Sequence, residues 1–152
     1  MSEHINETSL AEGIRLAEAP DVAAIARLFV QLGYRNDPDR LAVDLTAREP
    51  GRQVLVSADR HGVTGVLVLH LLRPLHLASG WALISALVVD EAVRGQGRGV
   101  ALLAAAERLA REAGCGQIEL SSSLHRERAH HFYQQQDYRE KPKRFVKSLL
   151  SQ

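Results

Sequence analysis

The chain has 152 residues, of which 45% are hydrophobic and 24% charged, and its formal net charge is +1. This size and composition are typical of one globular domain, and the balanced charge disfavours nucleic-acid binding through a broad basic surface. No apolar run reaches the roughly 18 residues of a transmembrane helix, and the polar N-terminus lacks the apolar stretch of a secretory signal. We therefore expect a soluble, cytoplasmic domain over 14–152, preceded by a flexible tail over 1–13.

The cysteine and histidine content predicts no metal centre. A single cysteine, Cys115, cannot form an internal disulfide and is expected to be a small residue in a turn. His125, His130 and His131 are separated by five and six residues, so they do not share a helical face as an i, i+4 pair of ligands does. Surface or capping roles suit these histidines better.

The first part of the chain predicts one strand followed by two helices. A strand is expected over 14–19, and Asp21 is placed to cap a helix that Gly33 ends. Asp37 followed by Pro38 predicts the start of a second helix, which stops before the next proline.

The central part predicts a hairpin and a third strand. Two runs rich in β-branched and aliphatic residues, 53–59 and 63–72, are separated by the tight turn 60–62. The third strand is expected over 81–90, and its continuously apolar end, 86–89, is typical of a strand buried on both faces.

The remaining pattern completes an α/β fold with a mixed sheet. A glycine-rich loop leads directly into a helix with one apolar face, and a strand, a helix and a closing strand follow. In order, these segments are 94–99, 100–114, 117–123, 125–136 and 144–150.

The loop RGQGRG is the segment most informative about function. Its glycines, at every second position before a helix, let backbone N–H groups converge on an anion, and a diphosphate is the natural ligand. The loop lacks the Lys-Ser/Thr of a Walker motif and the spacing of a dinucleotide fingerprint. A flexible connector without a ligand is the alternative interpretation.

The same residues resemble the acetyl-CoA motif of the GNAT N-acetyltransferases, Arg/Gln-x-x-Gly-x-Gly/Ala. The resemblance covers nearly the whole chain and implies a central mixed, mostly antiparallel sheet of six to seven strands, flanked by about four helices. It also implies that loop amides hold the pyrophosphate of acetyl-CoA, the co-substrate, and that the preceding strand binds pantetheine through its main chain. The residues concerned are Arg94, Gly95, Gln96, Gly97, Arg98, Gly99 and Val100 for the loop, and Leu87, Val88 and Val89 for the strand.

Arginine side chains of the loop are candidates for further phosphate contacts. For Arg98, a solvated loop charge is the alternative. Arg126 occupies the position where many family members have an asparagine that contacts CoA, which leaves that contact open.

The segment Ala129 to Tyr133, AHHFY, resembles the family stretch Ala-x-x-Phe/Leu-Tyr. In the family this tyrosine protonates the leaving thiolate, so the resemblance implies that Tyr133 is the general acid and that it contacts the cofactor. A positioned proton donor of this kind accelerates a reaction by about two to four orders of magnitude. A core aromatic residue is the alternative role for Tyr133.

The general base is not evident, because the strand that carries a glutamate in many family members reads LISAL over 83–87. The remaining proton acceptors are His76, His70, a more distant carboxylate, or a water relayed by Ser85. We rank His76 first, because the segment around it resembles the aminoalkylphosphonate N-acetyltransferase subgroup. That resemblance also includes the segment from Arg126 to Tyr133 and the ending Arg144-Phe145-x-Lys147-x-Leu149.

The predicted function is thus transfer of an acetyl group from acetyl-CoA to the primary amine of a small molecule. An anionic group on that molecule would meet Arg73 or Arg126. The alternatives are a CoA-binding regulatory module without catalysis and a protein or peptide N-acetyltransferase. We also expect a homodimer, because the edge of the closing strand is available for pairing.

Overall fold

The computed structural model describes residues 10–47, 49–121, 127–141 and 144–150. It divides into two compact units, 1–121 and 122–152, and each is described separately below. The predicted tail over 1–13 falls mostly outside the described residues, and the prediction of one domain over 14–152 stays a prediction. Within the described ranges, no helix is long and apolar enough to cross a membrane.

The first unit is built on a five-stranded sheet whose strand order follows the chain. Successive strands are antiparallel except for the last pair, which is parallel, so the predicted mixed and mostly antiparallel sheet is confirmed. The strands are β1 (Ile14–Leu16), β2 (Arg52–Asp59), β3 (Gly62–Leu72), β4 (Gly80–Val89) and β5 (Cys115–Leu120).

Three helices cover the two faces of this sheet. They are α1 (Val22–Leu32), α2 (Pro38–Thr46) and α3 (Arg98–Glu112). On one face, Ile25 and Leu28 of α1 pack against valines that alternate along the strands, including Val56, Val66 and Val88. A Cβ on Gly65 would touch Leu102, so the other face carries α3.

The ends of the first two helices follow local sequence with one exception. Gly33 ends α1 in the left-handed conformation, and the Asp37 carboxylate accepts a hydrogen bond from the Asp39 N–H at the start of α2, as predicted. Asp21 was expected to cap α1, but its side chain makes no such bond.

The Asp21 carboxylate instead accepts hydrogen bonds from the Glu18 N–H at 2.7 Å and from the Arg15 guanidinium at 2.7 and 2.9 Å. The hydrogen bonds from Arg15 have the largest effect on the pKa of Asp21, and together with the bond from Glu18 they lower it. The predicted strand over 14–19 therefore ends at Leu16, because the chain turns through a 3₁₀ helix, Ala19–Asp21, held by this carboxylate.

The second unit contains α4 (Glu127–Gln135), which confirms the last predicted helix within its described residues. The predicted closing strand over 144–150 was wrong: these residues form no strand, and among the described residues the sheet has five strands rather than six or seven. Their apolar side chains are exposed, 92% for Phe145 and 90% for Leu149. The segment has strand-forming residues but no paired neighbour, and a strand needs a partner for its backbone hydrogen bonds.

Candidate functional site

The two halves of β4 have different neighbours. From Gly80 to Ile84, β4 pairs with β3 on one side and β5 on the other. From Ala86 to Val89 it still pairs with β3, whereas β5 reaches its last pair, Leu120 with Ile84, before this half begins. Within the described residues of the first unit, one edge of β4 after Ile84 is therefore open.

This open edge changes the burial predicted for the end of the strand. The run 86–89 was expected to be buried on both faces, but only Val88 is buried, and the flanking Leu87 and Val89 are half-buried. The apolar run fits a central strand, but the missing neighbour leaves its side chains and main chain partly accessible.

The glycine loop follows this edge after a short 3₁₀ turn, Glu91–Val93. Gly95 and Gly97 have φ of 85° and 78°, a conformation that side chains with a Cβ disfavour. Gly97 is the N-cap of α3, which begins at Arg98, two residues before the predicted start. The N–H groups of the first helical turn have no partner within the helix, so the loop ends at a natural anion-binding position.

The turn before the loop is tied to α1 by side chains. The Asp90 carboxylate accepts a hydrogen bond from the Ala92 N–H at 3.1 Å and one from the Gln31 amide at 3.3 Å. The side-chain oxygen of Gln31, Oε1, accepts a hydrogen bond from the Glu91 N–H at 3.0 Å. The hydrogen bond from the Ala92 N–H, followed by that from the Gln31 side chain, lowers the pKa of Asp90.

Both loop arginines make contacts within the protein, but the Arg94 side chain is still 53% exposed. The Arg98 guanidinium donates to the Asp59 carboxylate at 2.7 Å, and the Arg98 side chain is only 22% exposed. It is thus not the solvated loop charge that was the alternative, and a phosphate contact by this side chain stays a prediction. The Arg94 Nε donates to the Val89 carbonyl at 3.4 Å.

Asp59 also shapes the hairpin between β2 and β3. Its carboxylate accepts a hydrogen bond from the His61 N–H at 2.7 Å, which, together with the Arg98 charge, lowers the pKa of Asp59. The Arg98 bond joins this hairpin to the first residue of α3. Sequence reasoning missed Asp59 and Gln31, because only the fold brings residues 39 and 59 positions apart together.

Two of the candidate bases lie together. His70 on β3 and Ser85 on β4 are hydrogen-bonded, with 2.8 Å between Nε2 and Oγ. His76, ranked first on sequence, lies exposed in the turn between β3 and β4 and makes no side-chain hydrogen bond to a described residue. Arg73, at the start of that turn, donates to the Ala113 carbonyl at the end of α3.

Tyr133 lies half-buried on α4, in the second unit. Its ring contacts those of Phe132 and Tyr138, with centroid separations of 5.6 and 6.3 Å. Arg126, the other predicted cofactor contact near this helix, lies outside the described residues. The acid role of Tyr133 stays a prediction.

Comparison with known proteins identifies the family. The family model for the acetyltransferase (GNAT) family matches residues 23–138. The chain belongs to the GNAT acetyltransferase family. It is also 36% identical to the aminoalkylphosphonate N-acetyltransferase of Salmonella typhimurium over 119 residues, which is 78% of this chain and 76% of the relative.

Solved structures of other proteins have the same fold. A protein from Bacillus halodurans C-125 described as a transcriptional regulator superposes with a TM-score of 0.80 at 22% identity, over 90% of this chain and 98% of the other. An aminoglycoside acetyltransferase from an uncultured soil metagenomic sample, in complex with sisomicin, gives 0.75 at 20% identity over 90% and 95%. The predicted GNAT fold and acyltransferase class are thus confirmed.

Proposed function

We propose that this protein transfers the acetyl group of acetyl-CoA to the primary amine of a small molecule. The observation that carries the proposal is the open edge of β4, which leads directly into a glycine loop at the N-terminus of α3. In a GNAT acetyltransferase, these are adjacent positions for the pantetheine arm and the pyrophosphate of one CoA molecule.

The cofactor contacts are made mainly by the main chain. The N–H groups of the loop from Arg94 to Val100 bind the pyrophosphate, and backbone groups of Leu87, Val88 and Val89 bind the pantetheine. The left-handed conformations of Gly95 and Gly97 support this assignment, because they direct the chain into the first turn of α3 without a side chain in the way.

Tyr133 protonates the thiolate of CoA when the carbon–sulfur bond breaks. The resemblance of AHHFY to the family stretch supports this role. A phenol suits it because its ordinary pKa, about 10, keeps it protonated at neutral pH. Arg126 is proposed as a further CoA contact.

The acceptor we propose is a small amine that carries an anionic group, with aminoalkylphosphonates as the first candidates. The support is the 36% identity to an enzyme of that name. The two arginines considered for the anionic group are Arg73, which also donates a hydrogen bond to the end of α3, and Arg126.

The proposal is tested by measuring thiol release from acetyl-CoA with aminoalkylphosphonates, polyamines, amino acids and aminoglycosides. We expect turnover with an aminoalkylphosphonate and a loss of about 10²-fold or more in kcat on Tyr133→Phe. Binding of acetyl-CoA, followed by thermal shift, serves as the control for folding. Binding without turnover of any amine would favour a regulatory module, and acetylated peptides detected by mass spectrometry would favour a protein acetyltransferase.

We also propose that the enzyme is cytoplasmic and forms a homodimer. The single cysteine, with no partner for an internal disulfide, suits a reducing compartment. Exposed apolar side chains in the second unit, at Phe145, Val146, Leu149 and Leu150, suit burial against a second copy. Light scattering during size-exclusion chromatography tests the dimer: a mass near 16.7 kDa would contradict it.

A further inference from the structure

The hydrogen bond between His70 and Ser85 is located where β4 becomes irregular. Val68 pairs with Ala86 and Leu69 pairs with Ile84, so Ser85 is the extra residue of a β-bulge. A bulge redirects the side chain of its extra residue, and bulges are enriched next to active sites. Here the exposed Ser85 hydroxyl reaches the imidazole of half-buried His70.

Ser85 also marks the start of the open edge. The last pair between β4 and β5 involves Ile84, the residue immediately before it. An extended strand rises about 3.3 Å per residue, so the edge from Ser85 to Val89 runs about 13 Å toward the glycine loop. A pantetheine arm that starts at the loop and follows this edge carries its thioester toward Ser85.

The sheet face that carries His70 also carries a polar group without a hydrogen-bond partner among the described residues, the indole N–H of Trp81. His70 and Trp81 lie on the face that α1 covers elsewhere, because side chains alternate along strands and His70 is four residues beyond Val66. The Trp81 Nε1 is buried and has no hydrogen-bond partner among the described residues. A buried donor without an acceptor is costly, which favours a polar ligand or water at this end of the face.

We propose that His70 is the general base of the acetyl transfer and that Ser85 relays the proton to it. This inference rests on the proposed function. It supplies a proton acceptor in place of the glutamate that many family members carry on β4 and that this chain lacks there. In this arrangement the Ser85 hydroxyl donates to His70 Nε2. A substrate ammonium gives one proton to Ser85 Oγ while the Ser85 proton moves to Nε2, and His70 later releases it to solvent.

The remaining steps conserve atoms and charge. The neutral amine nitrogen attacks the thioester carbon, forming the nitrogen–carbon bond, and the carbon–sulfur bond then breaks with its electron pair on sulfur. The thiolate takes a proton from the general acid, and the second proton lost by the nitrogen restores that acid. One proton is therefore released to solvent for each ammonium converted to amide.

The test compares His70→Gln with two matched histidine variants. His70→Gln keeps a side chain that can hydrogen-bond to Ser85 but accepts no proton, and we expect kcat/KM to fall about 10²-fold. His61→Gln makes the same change in an exposed hairpin turn and should stay within about twofold of the parent. His76→Gln tests the rival base, and a larger loss there than at His70 would overturn the proposal.

Ser85 is tested by two substitutions that differ in the hydroxyl. Ser85→Ala removes the relay and should lower kcat about tenfold or more with little change in the acetyl-CoA KM. Ser85→Thr retains the hydroxyl and should recover most of that loss. Equal kcat values for the alanine and threonine variants would contradict the relay.

A fluorinated analogue of the acceptor separates catalysis from structure. Fluorine near the amine lowers the amine pKa, so the analogue is already neutral and needs less help from a base. The loss caused by His70→Gln should therefore be smaller for the analogue than for the parent amine. Equal losses with both amines would assign His70 a structural role, whereas failure of the parent enzyme to turn over any amine would refute the proposed function itself.

Discussion

The two halves of β4 show how one strand serves two purposes. Both halves pair with β3, yet on the same face of the sheet Ile84 in the first half is 3% exposed, whereas Leu87 in the second half is half-buried. The difference comes from β5, which pairs only with the first half. The paired half stabilises the sheet, and among the described residues of the first unit the other half has one edge without a strand partner.

The largest expected effect in this comparison is on stability. Ile84→Ala should lower the free energy of unfolding by about 2–5 kcal/mol, because it leaves a cavity in the doubly paired half. Leu87→Ala, on the same sheet face but half-buried, should cost less than half as much. Urea denaturation of both variants measures the difference, and equal losses would contradict the division of the strand.

The next largest effect compares alanine substitution in the glycine loop, which follows the second half of β4, with the same substitution in the hairpin turn. Gly97 and Gly62 both have positive φ, 78° and 112°, and a Cβ on either would meet nothing within 4 Å. Alanine at either position should therefore cost about 1–2 kcal/mol of stability through the backbone alone.

Only Gly97→Ala should weaken the binding of acetyl-CoA, because Gly97 lies in the loop that we propose binds the pyrophosphate. We expect a loss of about tenfold in affinity, equivalent to about 1.4 kcal/mol. Isothermal titration calorimetry on both alanine variants provides the measurement. A similar loss of affinity in Gly62→Ala would show that the effect is general rather than local.

The smallest expected effect is the pH dependence of stability that comes from Asp90, in the turn that follows β4. The pKa of Asp90 is lowered from 3.8 in the folded chain, chiefly by the Ala92 N–H, so the unfolded chain binds this proton more readily. The carboxylate therefore contributes stability above about pH 5, and that contribution is lost as the pH falls through the lowered pKa. The gap in Tm between parent and Asp90→Ala should narrow below pH 4. A gap that stays constant down to pH 3 would assign the effect to packing.

Much of the fold was predictable because its signals are local. Gly33 and the Asp37-Pro38 pair set helix ends within a few residues of themselves, and two runs rich in β-branched and aliphatic residues located the hairpin. Asp21 shows where local reasoning fails. Its capping position was correct, but the Arg15 guanidinium and the Glu18 N–H bind the carboxylate instead.

The site was less predictable because its contacts join distant residues. The loop was recognised from its glycines, whereas the bond between Arg98 and Asp59 spans 39 positions and depends on packing between the hairpin and α3. The bond between His70 and Ser85 depends on the register of β3 and β4 and on one bulged residue. Composition and spacing carry no information about such a register.

The pairing of Arg98 with Asp59 has a consequence for the selectivity of the loop. With Arg98 bonded to Asp59, the contacts that we propose between the loop and an anion come mainly from peptide N–H groups fixed in direction. Fixed N–H dipoles act at short range and bind best an anion whose oxygens lie where the dipoles point. Mobile cationic side chains attract any polyanion, over distances set by the ionic strength. Affinity for the cofactor should therefore depend little on salt, and abundant cellular polyanions should compete poorly for the loop.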